Sequence, residues 1–285
     1  MPIILLFTSL LLLGPAQAQT SGPAKGTLVI VGGNDKDRLC FNRFVKLAGG
    51  KDARIVVVTT ASSSSEKYDY LNSTQIHAMR KTMGLTQLSA LHTHDRAVAD
   101  TEEFIEPLKK ADAVWFTGGR QWRLIDAYAG TRTEKAFKEL LARDGIIGGS
   151  SAGATIQGSF LMRGDTNGSS ILLGNHQHGF GFLRNAAIDQ HVIPRFRHFD
   201  LTKVLTDPEG KMDKSHDRGA LLGIGLDEGE LDLTIVNPVD LDRELSDSIC
   251  AQCHLGSPAV VPSRGRSLDA YRPGLPLDAF RNGYQ

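Results

Sequence analysis

Short apolar runs recur along the chain, and stretches with helical periodicity separate them. Runs rich in Val and Ile predict buried strands, whereas amphipathic stretches predict helices. The strands are predicted at 27–31, 54–59, 87–92, 113–117 and 145–147. The helices between them are predicted at 38–49, 69–83, 101–110, 122–128 and 134–143. Strands that alternate with helices indicate an α/β fold with a doubly wound, mostly parallel sheet.

The second half of the chain is less regular. The elements predicted there are a strand ending in Asp189-Gln190-His191, a helix at 201–205 and an apolar run at 221–226. Beyond Asn237-Pro238 the sequence is rich in proline and glycine and shows no sustained periodicity, which places a domain boundary near residue 236. We therefore expect an α/β domain at 19–236 and a short irregular appendage at 237–285.

The amino-terminal residues have the features of a secretory signal. Residues 3–13 form an apolar run that is too short to span a bilayer, and Ala16-Gln17-Ala18 is a small-x-small cleavage sequence. We predict a signal peptide at 1–18 and a secreted or periplasmic mature protein with no later membrane segment. Lys plus Arg equals Asp plus Glu, at 32 each, and no basic tract stands out, so nucleic acid is not an expected partner.

Three glycine-rich turns follow predicted strands. They are Gly32-Gly33, Gly118-Gly119 and Gly149-Ser150-Ser151-Ala152-Gly153. The last has the form G-x-S-x-G and leads to a segment that can begin a helix at Thr155, which is the setting of a nucleophile elbow. Ligands bind at the carboxyl ends of parallel strands, so the three turns are expected to share one pocket. Ser151 is the candidate nucleophile; the alternative is a glycine turn that only packs closely.

A serine nucleophile needs a base and an acid that orients the base. Of nine histidines, His191 is the best candidate base because it follows a buried-looking strand. Asp227 and Glu228 end an apolar run and are candidates for the acid, as is Asp165, which lies closer to the elbow. The pattern leaves the choice among these carboxylates open.

Two further histidine pairs have the spacing H-x-H. They are His92 with His94, and His176 with His178. Metal sites use such pairs together with a third ligand, and no third-ligand pattern lies near either pair. We interpret them as loop histidines and expect no metal.

Four segments carry a family resemblance, in matching order and spacing. They are Phe116-Thr117-Gly118-Gly119 with Gln121, Gly149-Ser150-Ser151-Ala152-Gly153-Ala154, Asp189-Gln190-His191 with Arg195 and Arg197, and Gly223-Ile224-Gly225-Leu226-Asp227-Glu228. Residues 27–236 thereby resemble the cyanophycinase branch of the S51 serine peptidases, which are relatives of dipeptidase E. The resemblance implies an α/β fold similar to that of class I glutamine amidotransferases.

The resemblance also implies roles for particular residues. Ser151 would be the nucleophile, His191 the base and Glu228 the orienting acid. Dipeptidase E takes its acid from shortly after the elbow, which keeps Asp165 as an alternative. The residues implied to donate N–H groups to an oxyanion are Gly119 and Ala152. The positions implied to line the substrate site are Gln121, Asp189, Gln190, Arg195 and Arg197.

Cyanophycinases release β-Asp-Arg dipeptides from an arginine-branched polyaspartate. The resemblance therefore implies an exported serine-type exopeptidase that cleaves acidic or β-aspartyl peptide bonds without a cofactor, in a family whose members often form homodimers. Arg120 stands where cyanophycinases often carry aspartate, and Asp200 stands where they often carry arginine. Both changes invert a charge at the edge of the pocket, so the resemblance does not determine the natural substrate. A non-catalytic S51-like binding protein is the alternative.

The appendage carries a second resemblance. The segment Cys250-Ala251-Gln252-Cys253-His254 resembles a haem-binding segment of multihaem c-type cytochromes. In such a segment Cys250 and Cys253 attach the haem and His254 ligates the iron, which would make the chain an electron-transfer protein. The other interpretation is a short disulfide loop or a vestigial tail.

Overall fold

The computed structural model describes residues 21–35, 38–64, 74–228, 259–262 and 281–284 of the 285-residue chain. Its strands are β1 Thr27–Val31, β2 Ile55–Val58, β3 Leu88–Leu91, β4 Ala113–Phe116, β5 Ile146–Ser150, β6 Gly158–Phe160, β7 Leu183–Asp189, β8 Leu222–Gly225, β9 Ala259–Pro262 and β10 Arg281–Tyr284. Its helices are α1 Leu39–Leu47, α2 Thr74–Met83, α3 Arg96–Ala99, α4 Glu102–Lys110, α5 Gln121–Tyr128, α6 Arg132–Ala142, α7 Ala152–Thr155 and α8 Asp200–Thr206. The predicted signal peptide and the Cys250–His254 segment lie outside the described residues.

The main sheet has five parallel strands in the order β1-β5-β4-β2-β3. This confirms the predicted α/β fold with a mostly parallel sheet. Strand β5 lies between β1 and β4, and it pairs Ser150 with Val31 and Gly149 with Phe116. The carboxyl ends of these three strands therefore meet at one edge of the sheet, and the three glycine turns meet there with them.

Both faces of this sheet are buried. Residues two apart on a strand share a face. Val58 and Phe116 belong to the cluster formed with α4, α5 and α6, whereas Val57 and Trp115 belong to the cluster formed with α1 and α2. A strand that is covered on both sides shows a continuous apolar run, which is why these strands were visible in the sequence.

The start of helix α4 follows local capping. Thr101 precedes α4 and its hydroxyl accepts the N–H of Phe104 at 3.2 Å, so the helix begins one residue after the predicted start. The short helix α3 was not predicted because four residues are too few to show a helical period. None of the helices in the described ranges combines the length and the apolarity that a bilayer span requires.

A second sheet of three parallel strands has the order β6-β7-β8. Strand β6 was not predicted, because three residues directly after a short helix carry no periodic signal. Strands β7 and β8 lie side by side, with Asp189 opposite Gly225. The residues that follow the two strands therefore leave the sheet next to each other, which brings His191 and Glu228 into one region.

The segment predicted to be irregular contains two short strands. Strands β9 and β10 pair with each other in antiparallel orientation, with Ala259 opposite Tyr284. The pairing joins segments that are about twenty residues apart in the chain, so no local periodicity signals it.

Candidate active site

Ser151 stands in the turn between β5 and α7. Its backbone has φ 58° and ψ −113°, a costly conformation for a residue that carries a Cβ. Its N–H donates to the carbonyl of Val31 at 2.9 Å and so ties the turn to β1. Such strain persists only where the surrounding fold holds it, and it concentrates at functional sites. Helix α7 begins directly after the serine, at Ala152, rather than at Thr155 as predicted.

The glycines that flank the serine are required by close backbone approaches. A Cβ on Gly149 would collide with the carbonyl of Gly153, and a Cβ on Gly153 would collide with the carbonyl of Phe116. Helix α7 is therefore packed directly onto β4 and β5, with no room for side chains between them. This packing places Ser151 at the carboxyl edge of the sheet.

His191 follows the end of β7 and reaches Ser151. Its Nε2 lies 2.8 Å from the Ser151 Oγ, and its N–H donates to the carbonyl of Gly32 at 3.2 Å. The residue is buried and has a left-handed backbone, with φ 55°. The structure thus brings the predicted base and nucleophile into hydrogen-bond contact.

Glu228 completes a chain of hydrogen bonds. Its Oε1 is bonded to the Nδ1 of His191, and its Oε2 accepts a hydrogen bond from the Asn34 Nδ2 at 2.9 Å. Burial acts to raise the pKa of Glu228, but the hydrogen bonds from His191 and Asn34 outweigh it and the pKa is lowered. An ionised Glu228 favours the tautomer with a proton on Nδ1, which leaves Nε2 as an acceptor for the serine hydroxyl.

The other two candidate acids are engaged elsewhere. The Asp227 Oδ1 accepts the backbone N–H of Ile193 at 3.1 Å. Both carboxylate oxygens of Asp165 accept backbone N–H groups within its own loop, at 2.8 and 3.2 Å. Of the three carboxylates left open by the sequence, the structure places Glu228 against His191.

The candidate oxyanion donors lie next to the nucleophile. A Cβ built on Gly118 would be 3.4 Å from the Ser151 Cβ, so the turn after β4 passes directly beside the serine. Gly119 is the next residue of that turn, and Ala152 is the first residue of α7. One N–H from the residue after the nucleophile and one from a neighbouring strand end is the usual composition of an oxyanion hole at such an elbow.

Gly33 provides the space that the imidazole occupies. A Cβ at Gly33 would overlap the Cε1 and Nδ1 atoms of His191, and Gly33 has φ 149°. We expect Gly33→Ala to displace the imidazole and to lower kcat/KM by about 10²-fold, the usual cost of a misplacement near 1 Å. Steady-state kinetics measures the loss of kcat/KM, and urea unfolding shows whether the variant keeps its fold.

Gly49→Ala is the matched control for this substitution. Gly49 also has positive φ, at 110°, but a Cβ there would meet no atom within 4 Å. It shares the backbone strain without the collision, so we expect unchanged kcat/KM. Equal losses of activity in both variants would show that backbone strain causes the effect. They would contradict a collision between the new Cβ at position 33 and the His191 imidazole.

Comparison with known proteins decides the family. The model of peptidase family S51 matches residues 28–231, which is most of the chain. The chain belongs to peptidase family S51. The match begins within β1 and extends past Glu228, so it includes all three members of the hydrogen-bonded chain.

Individual relatives of this S51 peptidase are cyanophycinases at modest identity. The cyanophycinase of Geminocystis herdmanii (strain PCC 6308) is 29% identical over 206 residues, covering 70% of this chain and 71% of that protein. The cyanophycinase of Synechococcus elongatus is 27% identical over 238 residues, covering 76% and 70%. The crystal structure of a peptidase from an acI-B1 actinobacterium is similar in fold, with a TM-score of 0.51 and 21% identity over 72% of this chain and 81% of that one.

The positions implied to line the substrate site fall into two groups in this peptidase. Arg195 is exposed on the loop that follows His191. The buried positions are Gln121, Asp189, Gln190 and Arg197. The Gln121 Nε2 donates to the carbonyl of Met162 at 2.6 Å, which joins α5 to the segment after β6.

Asp189 lies in a buried ion pair. Arg163 donates to it from Nε at 2.8 Å and from Nη2 at 2.9 Å, and both side chains are at most 3% exposed. The Asp189 Oδ1 also accepts the backbone N–H of Gln190 at 2.9 Å. Burial acts against the Arg163 charge, but the carboxylates of Asp189 and Asp200 outweigh it and raise the pKa of Arg163. In this structure Asp189 is bonded to Arg163 and to the backbone of Gln190, the residue before His191.

Gln190 and Arg197 are bonded to each other. The Arg197 Nη1 donates to the carbonyl of Gln190 at 2.7 Å and to its side-chain Oε1 at 2.6 Å. Burial, assisted by the nearby Arg163 charge, lowers the pKa of Arg197 to about 10. Arg197 therefore remains charged at neutral pH and closes the loop on which Arg195 is exposed.

Two residues that shape the site were missed in the sequence. Asn34 follows Gly32-Gly33 at the end of β1, and the rule that places sites at strand ends could have identified it. Arg163 gave no signal, because it lies in the turn after β6 and its partner Asp189, at the end of β7, is 26 residues away. Asp200, one of the two departures from the cyanophycinase pattern, accepts a hydrogen bond from the Arg163 Nη2 at 2.6 Å.

The two H-x-H pairs have different surroundings in the structure. His92 and His94 lie 4.8 Å apart by ring centroids, and both bond to the loop after β2. His178 stacks on His216 at 4.4 Å, and both line a cavity of about 330 Å³. Within the described ranges, no group of three His, Cys, Asp or Glu side chains is arranged to hold a metal ion.

Proposed function

We propose that this S51 peptidase is an exported serine-type exopeptidase that cleaves acidic or β-aspartyl peptide bonds through Ser151, His191 and Glu228. The observation that carries the proposal is the continuous hydrogen bonding from the Ser151 Oγ through both nitrogens of His191 to Glu228. These three side chains come from three separate strand ends, so their alignment is a property of the fold. Export through residues 1–18 is part of the same proposal.

The arrangement supports a two-step acyl transfer. His191 accepts the Ser151 proton as Oγ attacks the scissile carbonyl, and Glu228 stabilises the resulting imidazolium. The backbone N–H groups of Gly119 and Ala152 are proposed to bind the oxyanion. His191 then donates its proton to the leaving amine, and water, activated by the same imidazole, hydrolyses the acyl-enzyme and restores Ser151.

The acidic substrate class is supported by charge at the site. Arg195 is exposed beside His191, and its charge contributes to lowering the pKa of Glu228. A guanidinium group presents paired N–H donors that match a carboxylate. The relatives named cyanophycinase are consistent with a substrate built from aspartyl residues.

The pH dependence of activity should reflect the environment of His191. Burial lowers its pKa below the ordinary 6.5, the Glu228 carboxylate raises it in part, and the Arg195 charge lowers it further, with a net decrease. His191 must be neutral to accept a proton, so activity rises with pH through this pKa. We expect the acid limb of kcat/KM to lie below pH 6.5.

Arg195→Gln removes one of the charges that disfavour the imidazolium. The acid limb of the pH profile of kcat/KM should therefore move to higher pH, even if the variant also changes KM. Arg132→Gln, on the distant helix α6, is the control and should leave the limb in place. A limb that does not move in Arg195→Gln would contradict the electrostatic coupling of Arg195 to His191.

Labelling with a serine-reactive phosphonate tests the proposed function directly. The full mature chain is incubated with the probe, and the adduct is located by mass spectrometry, with Ser151→Ala alongside. We expect one adduct on Ser151 and none on the variant, because only a serine activated by a base reacts readily. Folded protein without an adduct would refute the triad and favour a binding role for the pocket.

A further inference from the structure

Two arginines at the start of α5 lie close to the nucleophile. Arg120 is the residue before the helix, two positions beyond Gly118, whose backbone packs beside Ser151. Arg123 follows in the first turn of the helix. The Arg120 backbone N–H and the Arg123 Nη1 both donate to the carbonyl of Ala61, each at 2.9 Å. Both residues are therefore held against one loop at the edge of the candidate active site.

Neither guanidinium group is neutralised within the described part of the chain. The Arg120 Nη2 donates to the backbone carbonyl of Asp165 at 2.6 Å, and the Arg123 contact to Ala61 is also to a carbonyl. Both acceptors are uncharged. Arg163, by contrast, is paired with carboxylates. Among the described residues, the start of α5 thus presents two positive charges that no carboxylate pairs with.

The Arg120 side chain also has an unused donor. Its Nε is buried and has no hydrogen-bond partner among the described residues. Burial and the neighbouring Arg120 charge lower the pKa of Arg123, which shows that the two charges are close enough to repel each other. A buried N–H without an acceptor and a pair of repelling cations are both stabilised by a bound anion.

We propose that Arg120, supported by Arg123, binds a carboxylate of the substrate adjacent to the scissile bond and thereby selects anionic residues. This inference rests on the proposed function, since it places the carboxylate beside the nucleophile. The selection has an attractive and a repulsive part. A carboxylate gains paired N–H donors, whereas a cationic side chain meets two charges of its own sign.

Trp122 makes the binding measurable without catalysis. The Arg123 Cζ lies 5.0 Å from the centroid of the Trp122 ring, so an anion that moves Arg123 changes the surroundings of the indole. The other tryptophan, Trp115, is buried in the core and serves as a constant background. Ser151→Ala of the full mature chain removes turnover and allows the ligands to be titrated at equilibrium.

The experiment compares N-acetyl-aspartyl amide with N-acetyl-asparaginyl amide, which have similar shape and differ in charge. Calorimetry measures each affinity and Trp122 fluorescence locates the contact. We expect the aspartyl ligand to bind about 10- to 100-fold more tightly. Arg120→Gln should remove this difference in affinity. Arg120→Lys should keep part of it, because lysine retains the positive charge but lacks the paired N–H donors of the guanidinium group.

Arg143→Gln is the matched control. Arg143 also donates from its guanidinium to backbone carbonyls, at 2.6 and 3.1 Å, but it lies before β5, at the opposite edge of the sheet. The control should preserve the preference for the aspartyl ligand. Equal or undetectable binding of the two ligands, or an equal loss of both in Arg120→Gln, would overturn the inference. Failure of the proposed function is seen separately, as the absence of a phosphonate adduct on Ser151.

Discussion

Ser151→Ala is expected to lower kcat by about 10⁴- to 10⁶-fold, because the variant keeps the binding surface and loses the attacking oxygen. Alanine retains the Cβ, so the strained turn should keep its backbone conformation and the free energy of unfolding should change little. The measurement is hydrolysis of β-aspartyl dipeptides and of cyanophycin by the full chain. Urea unfolding of the same preparation shows whether the fold is intact.

Ser89→Ala provides the control for this loss. Ser89 lies on β3, at the far edge of the main sheet, where the side chain is half-buried and remote from the elbow. Its kcat should equal that of the parent chain. If Ser151→Ala retained most of the parent turnover while unfolding normally, the nucleophile would have to be assigned to another residue.

Arg163→Met is expected to lower the free energy of unfolding by about 3–5 kcal/mol. The substitution leaves the buried Asp189 carboxylate with the more distant Arg197 Nη1, at 3.7 Å, and a buried charge that loses its bidentate partner is costly. Asp189 precedes His191 by two residues, so activity should fall as well. Urea unfolding gives the free energy, and kcat/KM gives the effect on the site.

The chain contains a matched pair on its surface. Arg54 and Asp112 have the same bidentate geometry, with contacts of 3.0 and 2.6 Å, but their side chains are 51% and 34% exposed. Solvent screens such a pair, so Arg54→Met should lower the free energy of unfolding far less than Arg163→Met does. Similar losses in the two variants would show that burial does not determine the strength of the Arg163–Asp189 pair.

A double variant separates the ion pair from the other contacts of Arg163. Asp189→Asn removes the charge and keeps an acceptor for the Gln190 N–H. Combined with Arg163→Met, it should be less destabilised than the sum of the two single variants, because the unpaired charge is gone. Asp200 loses one partner in this variant but keeps Lys203, whose Nζ is 3.0 Å away.

Three residues at or beside the site have a left-handed or otherwise strained backbone. Ser151, Arg163 and His191 are non-glycine residues with φ of 58°, 56° and 55°. Each such conformation costs roughly 1–3 kcal/mol and persists because its surroundings over-determine it. Here the surroundings are the close packing of α7 on the sheet, the buried ion pair of Arg163, and the hydrogen bond from the His191 N–H to Gly32. The fold stabilises a serine and a histidine in orientations that an isolated segment would not keep.

The sequence by itself determined the features that depend on neighbouring residues. Continuous apolar runs identified the strands of the main sheet, since both of its faces are buried. The spacing of Gly149, Ser151 and Gly153 identified the elbow, because the whole G-x-S-x-G pattern lies within five consecutive residues. The position of His191 after a buried strand made it the best candidate base for the same local reason.

Only the tertiary structure decided the contacts between distant segments. Asp227 and Glu228 are adjacent in the chain, and which of them meets His191 depends on how the segment leaving β8 crosses the segment leaving β7. Asn34 is 194 residues from Glu228, and no local pattern relates them. The pairing of Asp189 with Arg163 likewise depends on how the turn after β6 approaches the end of β7. A periodic pattern specifies which face of an element is buried, but hydrogen-bond partners are specified by the three-dimensional convergence of elements, which one sequence does not display.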